Sequence, residues 1–359
     1  MAKIRVAVIF GGRSNEHDIS LISAAHIIKS IPRDKYSVVC IGITKKGHWL
    51  RFMGDADDIA SGAWEKHPDN VPCIFSPDPM DKGFIAINDD GEVSRVKVDC
   101  VFPVLHGKNG EDGTIQGLFE LAQMPFVGCD LISSANCMDK ELTHVVLGSH
   151  GIKMAQYVAI SVHELSELDE RCAFMEEKLG YPMYVKPANC GSSVGISKAT
   201  DIESLKNGIK MAFAHDKKVI VEEEIIGTEC ECAVMGNDKP VVSSVGEISA
   251  ANEFYDFDAK YKSSESKTFI PARIDEKSAH NIRVTALEAY RAIGCSGLAR
   301  VDFFLCKDGR VVLNEINTMP GHTPISMYPQ LFAFEGMTFE RQEDKLIRLA
   351  LERAGVDYE

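Results

Sequence analysis

The stretch RVDFFLCKDGRVVLNEIN, Arg300 to Asn317, decides how this chain is read. Two apolar-rich runs flank Asp308-Gly309, a pair that favours a tight turn between antiparallel strands. A two-residue turn sets Lys307 opposite Arg310. Counting outwards then sets Asp302 opposite Glu315 and Arg300 opposite Asn317. Side chains alternate along a strand, so these four share one face. Val301, Phe303, Leu305, Val312 and Ile316 fall on the other face and read as core. Like charges directly opposite one another destabilise a sheet. Asp302 and Glu315 therefore need either open solvent or a cation. With Asn317 beside them they offer the hard oxygen donors that Mg2+ takes.

The rest of the chain decides between solvent and cation. It has 359 residues, 45% of them hydrophobic, enough for more than one domain. The net charge of −14, with no basic tract to offset it, argues against a nucleic-acid partner. No apolar run has the length of a membrane span. Val6–Phe10 stops at Gly11-Gly12 and suits a first buried strand rather than a secretion signal. The 11 cysteines contain no CxxC pair and read as reduced thiols of a cytoplasmic protein. Cys190, in a glycine-rich loop, reads as a bystander thiol.

Up to about Asn136, apolar strand candidates (Val6–Phe10, Val38–Ile43, Val98–Val104, Phe126–Val127) alternate with helix candidates. This predicts an open, mainly parallel α/β sheet. One helix is expected from Ser133-Ser134 to about Ser149. A small block with its own glycine loop follows: strand Gln156–Ile160, helix Arg171–Leu179, strand Met183–Lys186, helix Asp201–Phe213 and strand Val219–Glu223. Antiparallel strands, a helix near Glu276–Ala292, the hairpin and a closing helix at Thr338–Ala354 complete the chain. The expected domains are 1–138, 139–224 and 225–359.

Several loops carry candidate ligand contacts. Gly11–Asp18 follows the first strand, where backbone N–H groups attract anions. It lacks a full GxGxxG, and Glu16 within it would repel a pyrophosphate and attract an ammonium group. His106-Gly107-Lys108-Asn109-Gly110 follows a parallel strand, where α/β proteins bind ligands; His106 reads equally as a structural histidine. Lys186–Gly195 joins a strand-end lysine to a Gly-Ser-Ser turn, a phosphate clamp distinct from the P-loop. Lys140 is a second cation for the same purpose. Glu222-Glu223-Glu224 and Glu229 sit at a domain junction, where an acid can accept from ribose hydroxyls. Glu253–Tyr261, aromatic and charged, reads as a loop able to close over a site.

Taken in order, GGRSNEHDIS, LHGKNGEDG, CMDK, VKPANCGSSVG, EEEIIGTE, FYDFDAKY, LARVDFF and NEINTMPGHTPIS resemble the D-alanine–D-alanine ligases of the ATP-grasp superfamily, across essentially the whole chain. Part of it is also similar to the D-Ala–D-Ser ligases of glycopeptide resistance. The resemblance implies an α/β, in part α+β, three-domain ATP-grasp architecture, with an open parallel α/β sheet first. It implies ATP with two Mg2+ ions, replaceable by Mn2+, on Asp302, Glu315 and Asn317. Lys140 and Lys186 then neutralise phosphates, and Ser193 lies in the loop over them. Glu222, Glu223, Ile225, Glu229, Phe254 and Lys260 fall at nucleotide contacts. Glu16 would hold the ammonium of the first D-alanine, with His106 near it, and Ser192 and Tyr261 would hydrogen-bond towards Glu16. Arg300 and the N–H of Gly321 would stabilise the tetrahedral oxyanion. Ser326 and Met327 would receive the carboxylate of the second amino acid.

On this resemblance the expected product is D-alanyl-D-alanine for peptidoglycan synthesis, made by a homodimer. D-Ser is the alternative second substrate. D-Lactate is disfavoured: ligases that make its ester carry a lid histidine, and none lies between His215 and His280. Phe257 stands where many relatives have tyrosine. Three readings compete: another ATP-grasp carboxylate–amine ligase, a non-catalytic nucleotide-binding protein, and a dinucleotide-dependent oxidoreductase suggested by Gly11-Gly12.

Overall fold

The computed structural model describes residues 2–88, 90–249 and 267–356. Three sheets follow one another along the chain. Phe254, Phe257, Lys260 and Tyr261 lie outside the described residues.

The first sheet has the order β6-β5-β4-β3-β2-β1-β7. Its strands are β1 (Ile4–Gly11), β2 (Tyr36–Ile43), β3 (Trp49–Phe52), β4 (Val71–Phe75), β5 (Gly83–Ile87), β6 (Val93–Lys97) and β7 (Cys100–Val104). Only β7-β1-β2 is parallel; β3 to β6 add an antiparallel meander. The expected mainly parallel character thus holds for the part that bears the ligand loops. The meander strands are short and half-exposed, so they did not register as strand candidates. β1 is covered on both faces, which is why it reads as a continuous apolar run. Val6, Val8 and Phe10 pack towards the helix His17–Ser30; Ala7 and Ile9 join Ile115 and Phe119 of the helix Thr114–Leu121. The expected strand Phe126–Val127 is reduced to an isolated bridge, Val101 to Phe126.

The single helix expected from Ser133 to Ser149 is two, Leu131–Met138 and Lys140–Ser149. Asp139 breaks it. Its backbone is extended and its carboxylate accepts from the N–H of Leu142, capping the second helix.

The second sheet, β10-β9-β11-β8, is antiparallel and built from β8 (Tyr157–Ser161), β9 (Met183–Pro187), β10 (Ser197–Ala199) and β11 (Lys218–Glu223). Helices Leu168–Leu179 and Ile202–Ala212 bury the face carrying Val158, Ile160, Met183, Val185, Val219 and Val221. Alternation sends Tyr157, Tyr184, Lys186 and Glu222 to the other face.

The third sheet runs β14-β13-β12-β15-β16. Its strands are β12 (Gly227–Met235), β13 (Val241–Ser249), β14 (Lys267–Phe269), β15 (Leu298–Cys306) and β16 (Val311–Asn317). One face packs Cys230, Cys232, Val301, Phe303, Leu313 and Ile316 against the helix Glu276–Ile293. On the other face, Ala233 and Ile248 lie in a cluster with Tyr328 and Leu331 of the helix Met327–Phe334. Beyond that helix this face opens onto a cleft.

The β15–β16 hairpin corrects the expected turn. Cys306, not Lys307, pairs with Arg310, so the loop has three residues, Lys307-Asp308-Gly309, with Gly309 at φ +84°. That is the geometry of a type I turn closed by a left-handed glycine. Asn314 is then left over in a bulge, because Asp302 pairs with Glu315 while Phe303 pairs with Leu313. The two one-residue shifts cancel. Arg300 faces Asn317 and Asp302 faces Glu315, as counting required. On the turn side of the bulge the faces invert, and Leu313, not Val312, joins Val301 and Phe303 in the core.

Candidate active site

A cavity of about 450 Å3 lies between the second and third sheets, within the range of small-molecule sites. Lys140, Lys186, Ser192, Ser193, Glu222, Glu223, Ile225, Glu229, Asp302 and Glu315 all line it.

Its floor is a row of acids across the third sheet. Glu231 pairs with Asp302, which pairs with Glu315, so all three project from one face. Arg300, one row along, joins them. Its Nε donates to Asp302 Oδ1 (2.8 Å) and its Nη2 to Oδ2 (2.7 Å), while Nε also lies 3.0 Å from Glu231 Oε2. Burial disfavours the guanidinium charge, but Asp302, Glu231 and Glu315 outweigh it and hold the Arg300 pKa well above the usual value. Asn317 Nδ2 donates to Asp302 Oδ2 (2.9 Å). Glu231 was not foreseen as part of this group. Its signal was present: in Cys230-Glu231-Cys232 an acid alternates with two apolar side chains, the pattern of a strand with one polar face.

The donor chemistry fits Mg2+. Among the described residues no group of three or more His, Cys, Asp or Glu side chains forms a metal cage. Mg2+ seldom needs one, because one or two carboxylates plus substrate phosphates commonly complete its shell. Asp302, Glu315 and the amide oxygen of Asn317 provide such a partial set.

The roof comes from the second sheet. Lys186 Nζ donates to Glu222 Oε2 (2.5 Å), and His144 Nε2 lies 2.8 Å from Glu222 Oε1. Burial would raise the Glu222 pKa, but Lys186 and His144 prevail and hold it at about 2. With both oxygens engaged, Glu222 acts here as the tether of Lys186. His144 also stacks on Tyr157, ring centroids 4.3 Å apart. It was missed from sequence, although Lys140 and His144 are four apart and so share a helix face. Lys140 Nζ donates to the carbonyl of Cys190 (2.7 Å), joining that helix to the glycine loop. In that loop Ser192 and Ser193 take positive φ, +50° and +58°, a conformation non-glycine residues adopt only under constraint.

Glu16 lies beyond the cavity lining and is reached through Ser192 of the glycine loop. Ser192 Oγ donates to Glu16 Oε1 (2.5 Å), linking the glycine loop to the first sheet. Gly107 makes room for this carboxylate: a Cβ there would lie 2.6 Å from Glu16 Oε2, and its φ is +70°. His106 is buried, with Nδ1 3.0 Å from the carbonyl of Met319. Burial opposes its charge, yet Glu111 and then Glu16 lift its pKa above the ordinary imidazole value.

Gly321 and Ser326 lie on the segment Thr318–Ser326, which lacks regular structure after β16. Ser326 Oγ sits 2.8 Å from Thr323 Oγ1 and precedes the helix Met327–Phe334. Met327 buries its side chain against Gly246, so only its main chain is available to a ligand. Cys190 borders the cavity as a half-buried thiol, its pKa raised by burial, which does not favour a reactive thiolate.

Lys186 on one sheet and Lys140 on a neighbouring helix face acids on another sheet, with a glycine loop between, the arrangement of an ATP-grasp carboxylate–amine ligase. Family models for the D-ala D-ala ligase N-terminus and C-terminus match residues 5–129 and 146–348, and the chain belongs to the D-alanine–D-alanine ligase family. The D-alanine–D-alanine ligase of Acetivibrio thermocellus is 48% identical over 98% of this chain and 96% of its own. The D-Ala:D-Ser ligase VanG from Enterococcus faecalis superposes with a TM-score of 0.90 at 41% identity, over 97% of this chain and 100% of its own. The D-alanine–D-alanine ligase from Coxiella burnetii gives 0.85 at 32%, over 98% and 96%.

Proposed function

We propose that this chain joins two D-alanine molecules, converting ATP to ADP and phosphate, and so supplies D-alanyl-D-alanine for peptidoglycan synthesis. One observation carries the reading: Asp302 and Glu315 open onto the same cavity as Lys140 and Lys186. Phosphoryl transfer needs that pairing of cations and metal-holding acids, because it is chiefly positioning and charge neutralisation.

In this mechanism Glu16 holds the ammonium group of the first D-alanine, with His106 beside it. The D-alanine carboxylate attacks the γ-phosphorus, giving D-alanyl phosphate and ADP. Lys140 and Lys186 bind the phosphates under Ser193, and Glu222 holds Lys186 in place. Glu223, Ile225 and Glu229 form the nucleoside end. Two Mg2+ ions, replaceable by Mn2+, on Asp302, Glu315 and Asn317 would supply further neutralisation of phosphate charge. Ser326 and the Met327 N–H receive the carboxylate of the second D-alanine, whose amine attacks the activated carbonyl. Arg300 and the Gly321 N–H stabilise the oxyanion, and phosphate leaves. Tyr261, Phe254 and Lys260 are assigned to the lid and the base on sequence grounds alone.

D-Alanine is preferred to D-serine as acceptor because curated relatives at 44–48% identity over 98% of the chain are D-alanine–D-alanine ligases. Among the described residues no helix is long and apolar enough to cross a membrane. The proposal includes a cytoplasmic homodimer with domain boundaries at 138/139 and 224/225. The test is incubation with ATP, Mg2+ and equal D-Ala and D-Ser, with products identified by mass spectrometry. D-Ala-D-Ala with stoichiometric ADP and phosphate is expected. D-Ala-D-Ser as the main product would overturn the acceptor assignment.

A further inference from the structure

We propose that a buried polar contact outside the cavity, His322 with Glu343, positions the segment that receives the second amino acid. The inference rests on the assignment of Gly321 and Ser326 to that acceptor.

The segment Thr318–Ser326 has no helix or strand to fix it, yet a backbone N–H in it must meet an oxyanion at hydrogen-bond distance. Its anchors are few and specific. Before Gly321, the carbonyl of Met319 lies 3.0 Å from His106 Nδ1. After it, the N–H of His322 donates to Ser23 Oγ (3.3 Å), and the carbonyl of His322 lies 3.1 Å from His26 Nδ1. The same Ser23 hydroxyl lies 3.3 Å from His106 Nε2. Ser23, on the helix His17–Ser30, therefore bridges the donor-side histidine and the acceptor segment.

The His322 side chain points away from the cleft to the helix Phe339–Arg353, where Nε2 lies 3.1 Å from Glu343 Oε1. The two residues are 2% and 0% exposed. Among the described residues neither Glu343 oxygen nor His322 Nε2 has a partner in hydrogen-bond geometry, so the two side chains meet as a close polar contact. A carboxyl group buried this deeply, with neither oxygen hydrogen-bonded, is a poor device for stability. Apolar side chains of similar volume would serve the core equally well or better. What the contact adds is position: it holds the His322 ring against the helix Phe339–Arg353, and with it the backbone one residue from Gly321. The pair touches neither substrate nor nucleotide, so both members are positioning residues.

The test measures KM separately for donor D-alanine, acceptor D-alanine and ATP on the full-length enzyme. E343Q keeps the shape of the side chain and removes the carboxyl group. The double variant H322F/E343M replaces the pair with apolar side chains and so avoids leaving a lone buried charge. Both are expected to raise acceptor KM at least tenfold and to leave donor and ATP KM within twofold, while the double variant unfolds at or above the wild-type temperature. S326A runs beside them and is expected to raise the same acceptor KM while lowering the unfolding temperature by no more than a few degrees, through its lost hydrogen bonds to Thr323. An acceptor KM within twofold of wild type in the folded double variant overturns the proposal. So does parallel loss at all three substrates, which is the mark of a merely structural pair. If S326A leaves acceptor KM unmoved, the acceptor assignment of the segment fails first and takes the proposal with it.

Discussion

The floor and the roof of the cleft are built on opposite principles. On the floor, Arg300, Asp302, Glu231 and Glu315 are placed by strand register, and the whole third sheet fixes their spacing. At the roof, Ser192 and Ser193 hold left-handed backbone in a loop stitched locally, through the Val194 N–H to the Gly191 carbonyl and the Ile196 N–H to the Ser193 carbonyl. A sheet can hold charges at fixed distances but cannot close over a substrate. A loop can close but carries its strain with it. The difference teaches which changes damage the chemistry and which damage only binding.

The largest effect is expected on the floor. Arg300→Ala removes the proposed oxyanion donor and should lower kcat by about 10²–10³, the loss typical of one such group, while nucleotide affinity stays within a few-fold. The measurement is steady-state turnover beside ATP-analogue binding. Near-normal turnover would refute the role of Arg300 and reduce the floor to a metal platform.

That floor was largely legible from sequence, because counting from a turn needs only local rules. It was legible partly by luck: the turn is one residue longer than Asp308-Gly309 suggested, and the Asn314 bulge restored the register. The roof was not legible by counting. That Ser192 meets Glu16, or that Gly107 leaves room for its carboxylate, depends on segments brought together only in the folded chain. For those contacts the resemblance to a known family carried the Ser192 expectation, and nothing carried the Gly107 one. His322 with Glu343 and Glu231 with Arg300 were invisible for the same reason: each joins elements distant in sequence.

A second prediction concerns Glu222, which ties Lys186 of the roof to His144 of the helix Lys140–Ser149. Its folded pKa of about 2 lies below the 4.5 of a free glutamate. A depressed carboxylate stabilises the fold above its unfolded pKa, and that stability is lost as pH falls from 4.5 towards 2. The difference corresponds to about 3 kcal/mol at neutral pH. Glu222→Gln should therefore unfold more easily at pH 7 and show a flatter stability profile between pH 5 and 3 in urea titrations. An unchanged slope would mean that Glu222 is not paired as drawn. The variant should also bind ATP more weakly, since Lys186 loses its tether.

The smallest effects should separate the two serines of the loop. Replacing either by glycine relieves left-handed strain of about 1 kcal/mol and adds a similar freedom to the unfolded chain, so unfolding temperatures should hardly move. The functional consequences diverge. Ser192→Gly loses a hydrogen bond to a carboxylate, worth about 1.5 kcal/mol or more, and should raise KM for donor D-alanine about tenfold while sparing ATP. Ser193→Gly should do the reverse and more weakly, because in the proposed mechanism the loop amides remain for the phosphates once its hydroxyl is gone. If both variants raised the same KM, the loop would be acting as one cover over the cleft, not as two contacts aimed at different ligands. The contrast between a floor set by register and a roof set by individual side chains would then fail.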